Sequence, residues 1–477
     1  MLLVFPLFPG FSGYGEITLS KFCLFAGVTV LWLASLAVLA LMKRAQLSPL
    51  QHPQVLALVY LGVCILSWLL SEHRAESLLG AGRYDGLATT ALYMLGYFAV
   101  SRFGSLRLRY VSVLAISAGG CALVALLQLG GGNPLGLFPG DLSYFDAGIR
   151  YSGAFLGTIG NTNLLDAFVC LTLPMFAALV IFGYSRLFVI PIALQVPYLL
   201  KAGGDGGRLA LAVTAALALP LLLTEREQIV RALRLSAVMA LCAAAALCWQ
   251  PAARQALRFV FAPAALRLCA AAAVFVGVSL LLPQLRRFPD KKRLQRIWLA
   301  VIALALLCFV AAALLHSGES GTLYELGQLL RGHAEDSFGS SRIGIWRACL
   351  ALVPKHPLLG SGPGTAALGL DIRFSRYVPE TGETLRSFVD NAHSFVLAAL
   401  VNTGVLGLIT MLLPMVTALI PGLRQQASPL HRAAALGCIC CAVQELFGLY
   451  LVITAPLLWL MLGLLAAPIN HSLEETT

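Results

Sequence analysis

The sequence predicts an all-α polytopic membrane protein with about 12–13 transmembrane helices and one large extracytoplasmic loop that contains short helices. Of its 477 residues, 59% are hydrophobic and 12% are charged, and the mean hydropathy is +0.85. A soluble domain carries roughly twice that share of charged residues. Apolar runs of span length recur from end to end, and lipid tolerates only a backbone that is hydrogen-bonded within itself, so these runs are predicted to be helices.

Thirteen segments are predicted to cross the membrane, because each approaches the roughly twenty apolar residues that one crossing needs. They are residues 18–42, 54–71, 86–103, 109–129, 163–184, 186–201, 208–224, 234–250, 264–283, 296–315, 394–422, 431–450 and 452–468. Two of them, 186–201 and 208–224, are short for a crossing. The opening "MLLVFPLF" is shorter still and lacks the basic start of a signal peptide, so it is expected to end a longer first helix or to pack at the membrane interface.

Threading these segments alternately places five basic connections on one side: LMKRAQ, SRFGSLRLRY, TEREQIVRALR, RRFPDKKRLQR and GLRQQASPLHR. With Arg186, that side holds 17 of the 33 Lys and Arg residues. The opposite side holds 16, but seven of them fall in one long loop, and long loops cross largely regardless of charge. The useful comparison is 17 against nine, which predicts that the basic side and the C-terminus are cytoplasmic. The net charge of +11 then reflects topology, and no nucleic-acid partner is expected.

One integral membrane domain in three parts is expected: an N-terminal helix bundle (1–315), a large extracytoplasmic loop (316–393) and C-terminal helices (394–477). Compact proteins seldom carry 78 residues of unstructured chain between elements, so short helices are expected inside the loop, notably over "SRIGIWRACLALV". Most of the 12 cysteines lie inside apolar runs, where they predict neither a disulfide framework nor a zinc site.

Two polar stretches on the predicted outer side precede helices. "IRYSGAFLGTIGNTNLLDAF" carries Arg150, Asn161 and Asn163. A helix N-terminus offers free N–H groups to an anion, but the asparagines equally fit a plain turn and helix cap. "LLKAGGDGGRLAL" places Arg208 at the mouth of a span. Its glycines would let the backbone approach a ligand, or would form a flexible hairpin with a snorkelling arginine.

Two further stretches lie in the second half of the long loop and just after it. In "SSRIGIWRACLALVPKHPLLGSGPGTAALGL", Arg342 and Arg347 precede a Gly/Pro segment that lacks the Lys-Ser/Thr ending of a P-loop, so nucleotide binding is not expected. A helix lying on the membrane surface is the alternative for its first half. In "DNAHSFVLAALVNTGVLGL", His393 follows Asn391 at the start of a span. A titratable ring there indicates a partner or a task, although a lone histidine is usually structural.

Four of these residues, Arg150, Arg208, Arg342 and His393, are predicted to lie together at outward span ends. Arginine suits a bidentate grip on phosphate, so the set fits a polyanion beside one proton-transfer group. The chain contains no Asp-x-Asp pair, so no divalent metal site and no cofactor is expected.

The order of these stretches resembles the O-antigen ligase and polymerase superfamily of bacterial membrane glycosyltransferases, from "SLLGAGRYDGLATTALYML" to the C-terminus. The most specific parts are "GTIGNTN", "RIGIWRACLALVPKHPLLGSGPGT" and "NAHSFVLAALVNTGVLGL". The chain departs from the family pattern with "GNTN" for Gly-Asn-Pro-Asn, "GGR" for Ser-Arg and "HS" for His-Asn.

The resemblance implies transfer of a glycan from undecaprenyl pyrophosphate to an acceptor hydroxyl on the outer face of the bacterial cytoplasmic (inner) membrane, without a metal. The acceptor would be a glycan, a lipid or a protein. Matched residue by residue, Arg208 is the arginine at the outer mouth of a mid-chain helix, Arg342 that of the outer-loop helix, and His393 the histidine before the next span. His393 and Arg342 are the expected catalytic residues. The residues expected to bind the pyrophosphate or the glycan are Arg208, Arg150, Arg347, Asn161, Asn163 and Asn391.

The chemistry then follows from charge. As the hydroxyl attacks the anomeric carbon from the opposite face, negative charge grows on the leaving pyrophosphate, and prepositioned arginines would stabilise that transition state. His393 would take the acceptor proton or hydrogen-bond the pyrophosphate, and both roles stay open. The expected function is an inverting, ligase-type glycosyltransferase. The alternatives are a polysaccharide repeat-unit polymerase with the same donor site, a flippase for the same lipid-linked glycan, and a scaffold that docks a partner.

Overall fold

The computed structural model describes residues 1–42, 50–140, 142–145, 155–250, 258–259, 262–370, 372–378, 383–424 and 426–468. It is 74% helical with almost no strand, which confirms the predicted all-α polytopic class. In chain order the helices are α1 (Val4–Leu7), α2 (Ile17–Leu41), α3 (His52–Leu70), α4 (Arg74–Leu79), α5 (Leu87–Phe103), α6 (Leu108–Leu129), α7 (Thr162–Phe182), α8 (Val189–Lys201), α9 (Asp205–Leu222), α10 (Arg226–Cys248), α11 (Pro263–Leu281), α12 (Lys291–Leu315), α13 (Thr322–Leu330), α14 (Phe338–Leu352), α15 (Ala366–Gly369), α16 (Phe395–Leu423), α17 (Pro429–Glu445) and α18 (Ala455–Ala466).

The strands are short antiparallel pairs. They are β1 (Phe155–Leu156) with β2 (Gly160–Asn161), β3 (Trp249–Gln250) with β4 (Arg258–Phe259), and β5 (Arg373–Val378) with β6 (Glu383–Phe388). The β5–β6 hairpin lies in the long loop, where the sequence predicted short helices only. Those helices are present as α13, α14 and α15, so the loop holds both kinds of structure.

Each of the predicted membrane segments coincides with a helix. By length and composition, nine helices within the described ranges can cross a membrane unaided. The others are α5 and α17 with 17 residues each, α8 with 13 and α18 with 12. Helix α10 begins at Arg226, eight residues before the predicted start, because its polar first turns continue the helix without the hydropathy that marks a span. A reciprocal side-chain cap between Glu225 and Gln228 fixes that start.

The centre of the bundle is formed by α7 and α18. Every residue of α18 is buried, and it packs against α5, while α7 packs against α17. In the most apolar part of α7, 83% of the residues are buried, against 6% in α12. These apolar parts of α7 and α12 are hydrophobic on all sides, so composition alone does not distinguish a central helix from one that faces lipid.

Hydrogen bonds between the connecting segments show which helix ends lie together, and they define two ends of the bundle. At the loop end, which carries the long loop 316–393, Gln444 bonds the Asn163 carbonyl and Thr322 bonds Asp205. At the opposite end, Arg226 bonds the Leu285 carbonyl and Trp298 bonds that of Leu223, and basic connections meet. This is the grouping that alternate threading predicts. The compartment that each end faces stays a prediction.

The opening segment does not extend the first long helix. It forms the separate short helix α1, with Phe5 fully buried. Lys21 of α2 donates to the Phe5 and Pro6 carbonyls at 2.5 and 3.3 Å, and Ser117 of α6 donates to the Leu2 carbonyl. The segment therefore packs against α2 and α6, and its carbonyl groups satisfy the buried amino group of Lys21.

Segment 357–365 packs backbone to backbone against a kink in α16. Gly404 at the kink has φ +67°, and the two amides after it donate to the Pro357 and Leu358 carbonyls at 3.0 and 3.2 Å. The Asn402 side-chain oxygen accepts hydrogen bonds from the backbone amides of Thr365 and Ala366, at 3.1 and 2.8 Å. On its other side the segment is held by three serine hydroxyls of 67–77, which donate to its carbonyls. This packing fixes the kink of α16, the helix that follows His393 in the chain.

Replacing Gly404 by Ala should therefore destabilise the protein by about 2 kcal/mol or more, because a Cβ there would lie 2.3 Å from the Leu358 carbonyl and the left-handed backbone is unfavourable. The measurement is the thermal unfolding midpoint in detergent. Gly277→Ala on α11 is the matched control, since nothing lies within 4 Å of its Cβ, and its midpoint should stay level or rise slightly. A wild-type midpoint for Gly404→Ala would contradict this account of the kink.

Candidate active site

The glycine-rich turn between α8 and α9 carries Arg208. Asp166 of α7 accepts hydrogen bonds from the Gly204 amide at 2.6 Å and from the Tyr198 hydroxyl at 2.9 Å. A Cβ on Gly207 would lie 3.1 Å from the Asp166 side chain. The glycines thus let the turn close on a buried carboxylate of the protein itself.

Arg208 is oriented by that turn. Its Nε and Nη2 donate to the Leu199 carbonyl at 3.3 and 3.0 Å, and its Nη1 donates to Asp205 at 3.0 Å. Asp205 also accepts from the Thr322 hydroxyl at 3.0 Å, which ties the turn to the start of α13. Since 47% of the Arg208 side chain is exposed, the guanidinium is held in place and accessible to a ligand.

Arg342 begins the regular part of α14. The three residues before it, Gly339–Ser341, have left-handed backbone. Arg342 Nη1 donates to the Gly339 carbonyl at 2.7 Å, and Nε donates to the Phe447 carbonyl at 2.9 Å. None of the ion pairs in the described part of the chain involves Arg342. Burial lowers the pKa of this guanidinium, while the charge of Asp205 acts in the opposite direction.

His393 lies just before α16 in a strained conformation. Its φ is +48°, and its amide donates to the Asn391 side-chain oxygen at 2.9 Å. Its ring Nδ1 is buried without a hydrogen-bond partner among the described residues. Strained backbone persists mainly at functional sites, and an unpaired buried nitrogen costs free energy, so both features indicate that the ring has a task.

The surroundings of His393 keep its ring neutral at pH 7. Its pKa is lowered to about 4, first by burial and then by the positive charges of Arg342 and Arg83, whereas Asp390 acts in the opposite direction. These charges come from three separate segments, which the fold brings to one place. Arg342 is also influenced by Asp205, the partner of Arg208, so the three residues matched to the family lie along one charged cluster at the loop end.

Arg83 also belongs to this charged cluster, although it is not among the site residues predicted from the sequence. Its Nε and Nη2 donate to the two carboxylate oxygens of Asp390 at 2.5 and 2.8 Å. Two residues on, burial raises the pKa of Asp85 to about 6, with Arg83 lowering it and Asp390 raising it. The sequence feature that could have indicated Arg83 is "GAGRYDG", where an arginine and an aspartate stand between glycines just before a span.

Left-handed backbone marks the same cluster. Within the described ranges, the non-glycine residues with positive φ are Tyr84, Ser340, Ser341 and His393. The first stands between Arg83 and Asp85, and the serines directly precede Arg342. Because such conformations are costly, their confinement to these loops is an independent sign that the cluster is a functional site.

Two of the three predicted asparagines, Asn161 and Asn163, lie at the loop end and make hydrogen bonds within the protein. Asn161 caps α7 by accepting the Asn163 amide at 2.9 Å, which is the cap interpretation. The Asn163 carbonyl accepts from Gln444 of α17 at 3.0 Å. Their side chains as ligands of a glycan or a phosphate stay a prediction.

One predicted arginine, Arg347, is not part of the cluster. Arg347 of α14 pairs with Asp336 at 2.5 Å and donates to the Ala334 carbonyl at 2.9 Å, with 55% of its side chain exposed. Arg150 lies outside the described residues. The structure therefore brings together Arg208, Arg342, Asn391 and His393 of the predicted set.

An apolar cavity of about 580 Å³ lies beneath Arg208, between α7, α8, α9 and α10. Leu199, whose carbonyl holds Arg208, lines it, and so do Leu211 and Thr214. The lining continues to Leu222 near the opposite end. A cavity with this apolar lining suits a hydrocarbon chain.

Residues 264–412 match the family model described as O-Antigen ligase, which supports the predicted resemblance to that superfamily. The matched range includes Arg342, Asn391 and His393, whereas Arg83 and Arg208 lie outside it, so the fold completes the site from two parts of the chain. No curated protein matches the chain. The family implies a membrane glycosyltransferase-like ligase or polymerase that uses lipid-linked glycans.

The neutral state of the His393 ring is directly measurable. Carbethoxylation by diethyl pyrocarbonate requires a neutral imidazole, so modification of His393, followed by peptide mass spectrometry, should titrate with a midpoint near pH 4. Arg342→Gln removes a positive charge and should raise the midpoint toward the ordinary value of about 6.5. Arg347→Gln, which removes an equal charge from the same helix, should leave it in place. A wild-type midpoint near 6.5 would contradict the described surroundings of the ring.

Proposed function

We propose that this protein is a metal-independent, inverting glycosyltransferase of the O-antigen ligase superfamily. It transfers a glycan from undecaprenyl pyrophosphate to an acceptor hydroxyl at the outer face of the bacterial inner membrane. The observation that carries the proposal is the gathering of Arg208, Arg342 and His393 at one end of the bundle, with an apolar cavity beneath.

The donor is held by charge and by its lipid. Arg342 is fixed by two carbonyl oxygens rather than a carboxylate, so its charge is directed but not neutralised. A pyrophosphate between Arg342 and Arg208 would receive charge-assisted hydrogen bonds from two guanidinium groups. The polyprenyl chain would enter the cavity that begins at Leu199, directly below the Arg208 guanidinium.

These arginines supply the electrostatic part of catalysis. As the bond from the anomeric carbon to the pyrophosphate oxygen breaks, the leaving group gains negative charge, and groups that are already in place stabilise it more than the ground state. Among the described residues, no group of three or more His, Cys, Asp or Glu is arranged to hold a metal ion. In the proposed reaction, the cationic side chains of Arg208 and Arg342 act where a divalent ion would act in a metal-dependent enzyme.

His393 takes the acceptor proton. In the free protein its pKa of about 4 leaves the ring neutral but weakly basic, and a base works best when its pKa is near the working pH. The donor brings two negative charges next to Arg342, one of the two arginines that lower this pKa. Donor binding therefore raises the basicity of His393 when the acceptor is attacked.

His393→Ala should lower the turnover number by about 10²–10⁴-fold, and Arg342→Ala should lower it by about 10²–10³-fold. The assay follows label from undecaprenyl-pyrophosphate glycan to candidate acceptors, with purified protein and chelator present. Arg331→Ala, an exposed arginine at the end of α13, is the control and should keep activity. Undiminished transfer by both site variants would overturn the proposal. The product separates the two family functions, since a polymerase lengthens lipid-linked glycan and a ligase labels another acceptor.

The pH dependence distinguishes the two roles open to His393. For a base whose pKa rises on donor binding, kcat/KM of the free enzyme should fall only toward pH 4, whereas kcat should already fall at higher pH on the acid side. A ring that hydrogen-bonds the pyrophosphate as a cation would instead lose kcat as the pH rises. Asp85, with a pKa of about 6, titrates nearby, so Asp85→Asn is measured alongside and should leave the displacement between the two profiles in place.

A further inference from the structure

We propose that Arg83 and Asp390 are positioning residues whose bidentate ion pair holds the loop of His393 and sets the charge around its ring. The catalytic consequence rests on the proposed function, whereas the ion pair and its effect on the ring are properties of the protein without substrate. Neither residue belongs to the set that the sequence matched to the family.

The geometry of the pair is that of a guanidinium fork on a carboxylate. Both Asp390 oxygens are engaged, at 2.5 and 2.8 Å, by two nitrogens of Arg83. The side chains are 35% and 25% exposed, so the pair is less screened than an ion pair on the open surface. It joins two segments that are 307 residues apart in the chain.

Arg83 is presented by a segment that is itself fixed. The Ala81 amide donates to the Gly364 carbonyl at 3.0 Å, and a Cβ on Gly364 would lie 2.8 Å from the Gly80 Cα. Tyr84 has φ +54° and stacks on Phe22 of α2, with ring centroids 5.1 Å apart. The guanidinium thus starts from a backbone braced on two sides.

The loop on the other side of the pair is short. Asp390 is followed by Asn391, whose side chain accepts the His393 amide, and the left-handed φ of His393 turns the chain into α16. A strained residue persists only where neighbouring contacts over-determine it. The ion pair supplies such a contact three residues before the ring.

The two members of the pair act on the ring with opposite signs. Arg83 and Arg342 disfavour the protonated imidazole, and Asp390 favours it. Asp85, in the Arg83 segment, interacts with both members of the pair and is the further titratable group at this place. Removing either partner should therefore change the charge on His393 in a direction fixed by the sign of the removed group, which a purely structural contact would not do.

The test measures the pH midpoint of His393 carbethoxylation in the full-length protein in detergent. Arg83→Gln should raise the midpoint, and adding Asp390→Asn to that variant should bring it down again. Arg83→Lys keeps the charge and should stay near the wild-type midpoint, but it should lower transfer by about tenfold or more, because an ammonium cannot reproduce the fork. Glu227→Gln, which removes an exposed ion pair with Arg231 at the opposite end, is the control and should change neither readout.

Opposite shifts in the single and the double variant, with unfolding midpoints near that of the wild type, would support the proposal. Equal midpoints in wild type, Arg83→Gln and the double variant would overturn it, and so would a shift in the same direction at both steps. Full transfer by Arg83→Lys would overturn the positioning role. If the wild-type protein transfers no glycan, the proposed function fails, but the carbethoxylation midpoints still decide whether the pair sets the charge of the ring.

Discussion

A guanidinium at the edge of a bilayer needs hydrogen-bond partners, and the arrangement of the loop end depends on the partners that the protein itself supplies. Arg83 is satisfied by Asp390, and Arg208 by Asp205 together with a carbonyl. Arg342 differs because its partners are carbonyl oxygens only. Its position is fixed as firmly as the others, but its charge is left for a ligand. The same contacts that make these arginines tolerable near lipid thus hold them in advance of an anion.

The backbone contacts around segment 357–365 transmit this order to His393. Glycines at 360, 364 and 404 allow main chains to touch where a side chain would clash, and Gly362 leaves room for the Ser71 and Ser77 side chains. The segment packs between α3–α4 on one side and the kink of α16 on the other. The short stretch that carries His393 therefore leads into a helix whose position is fixed. Its "GSGPGT" sequence, which has the glycine content of a phosphate-binding loop, is used here for packing.

The sequence was sufficient to locate the helices and to place Arg208, Arg342 and His393 at the same end, while their roles in a site stay a prediction. Apolar runs locate the spans because lipid enforces them, and counting crossings places Arg208, Arg342 and His393 at one end. The pairing of Arg83 with Asp390 could not be predicted in this way, since it depends on how separate loops fold together across 307 residues. The same holds for Asp166, the internal partner of the glycine-rich turn. The β5–β6 hairpin was not predicted, since only short helices were expected in the long loop.

The most direct test of the account is a cryo-electron microscopy structure of the protein in lipid nanodiscs with undecaprenyl pyrophosphate bound. The two phosphates should lie within hydrogen-bond distance of the Arg208 and Arg342 guanidinium groups, with the His393 ring facing them. The polyprenyl chain should lie in the cavity lined by Leu199. A pyrophosphate at the opposite end of the bundle, or a lipid chain outside that cavity with both arginines still bound only to the protein, would contradict it.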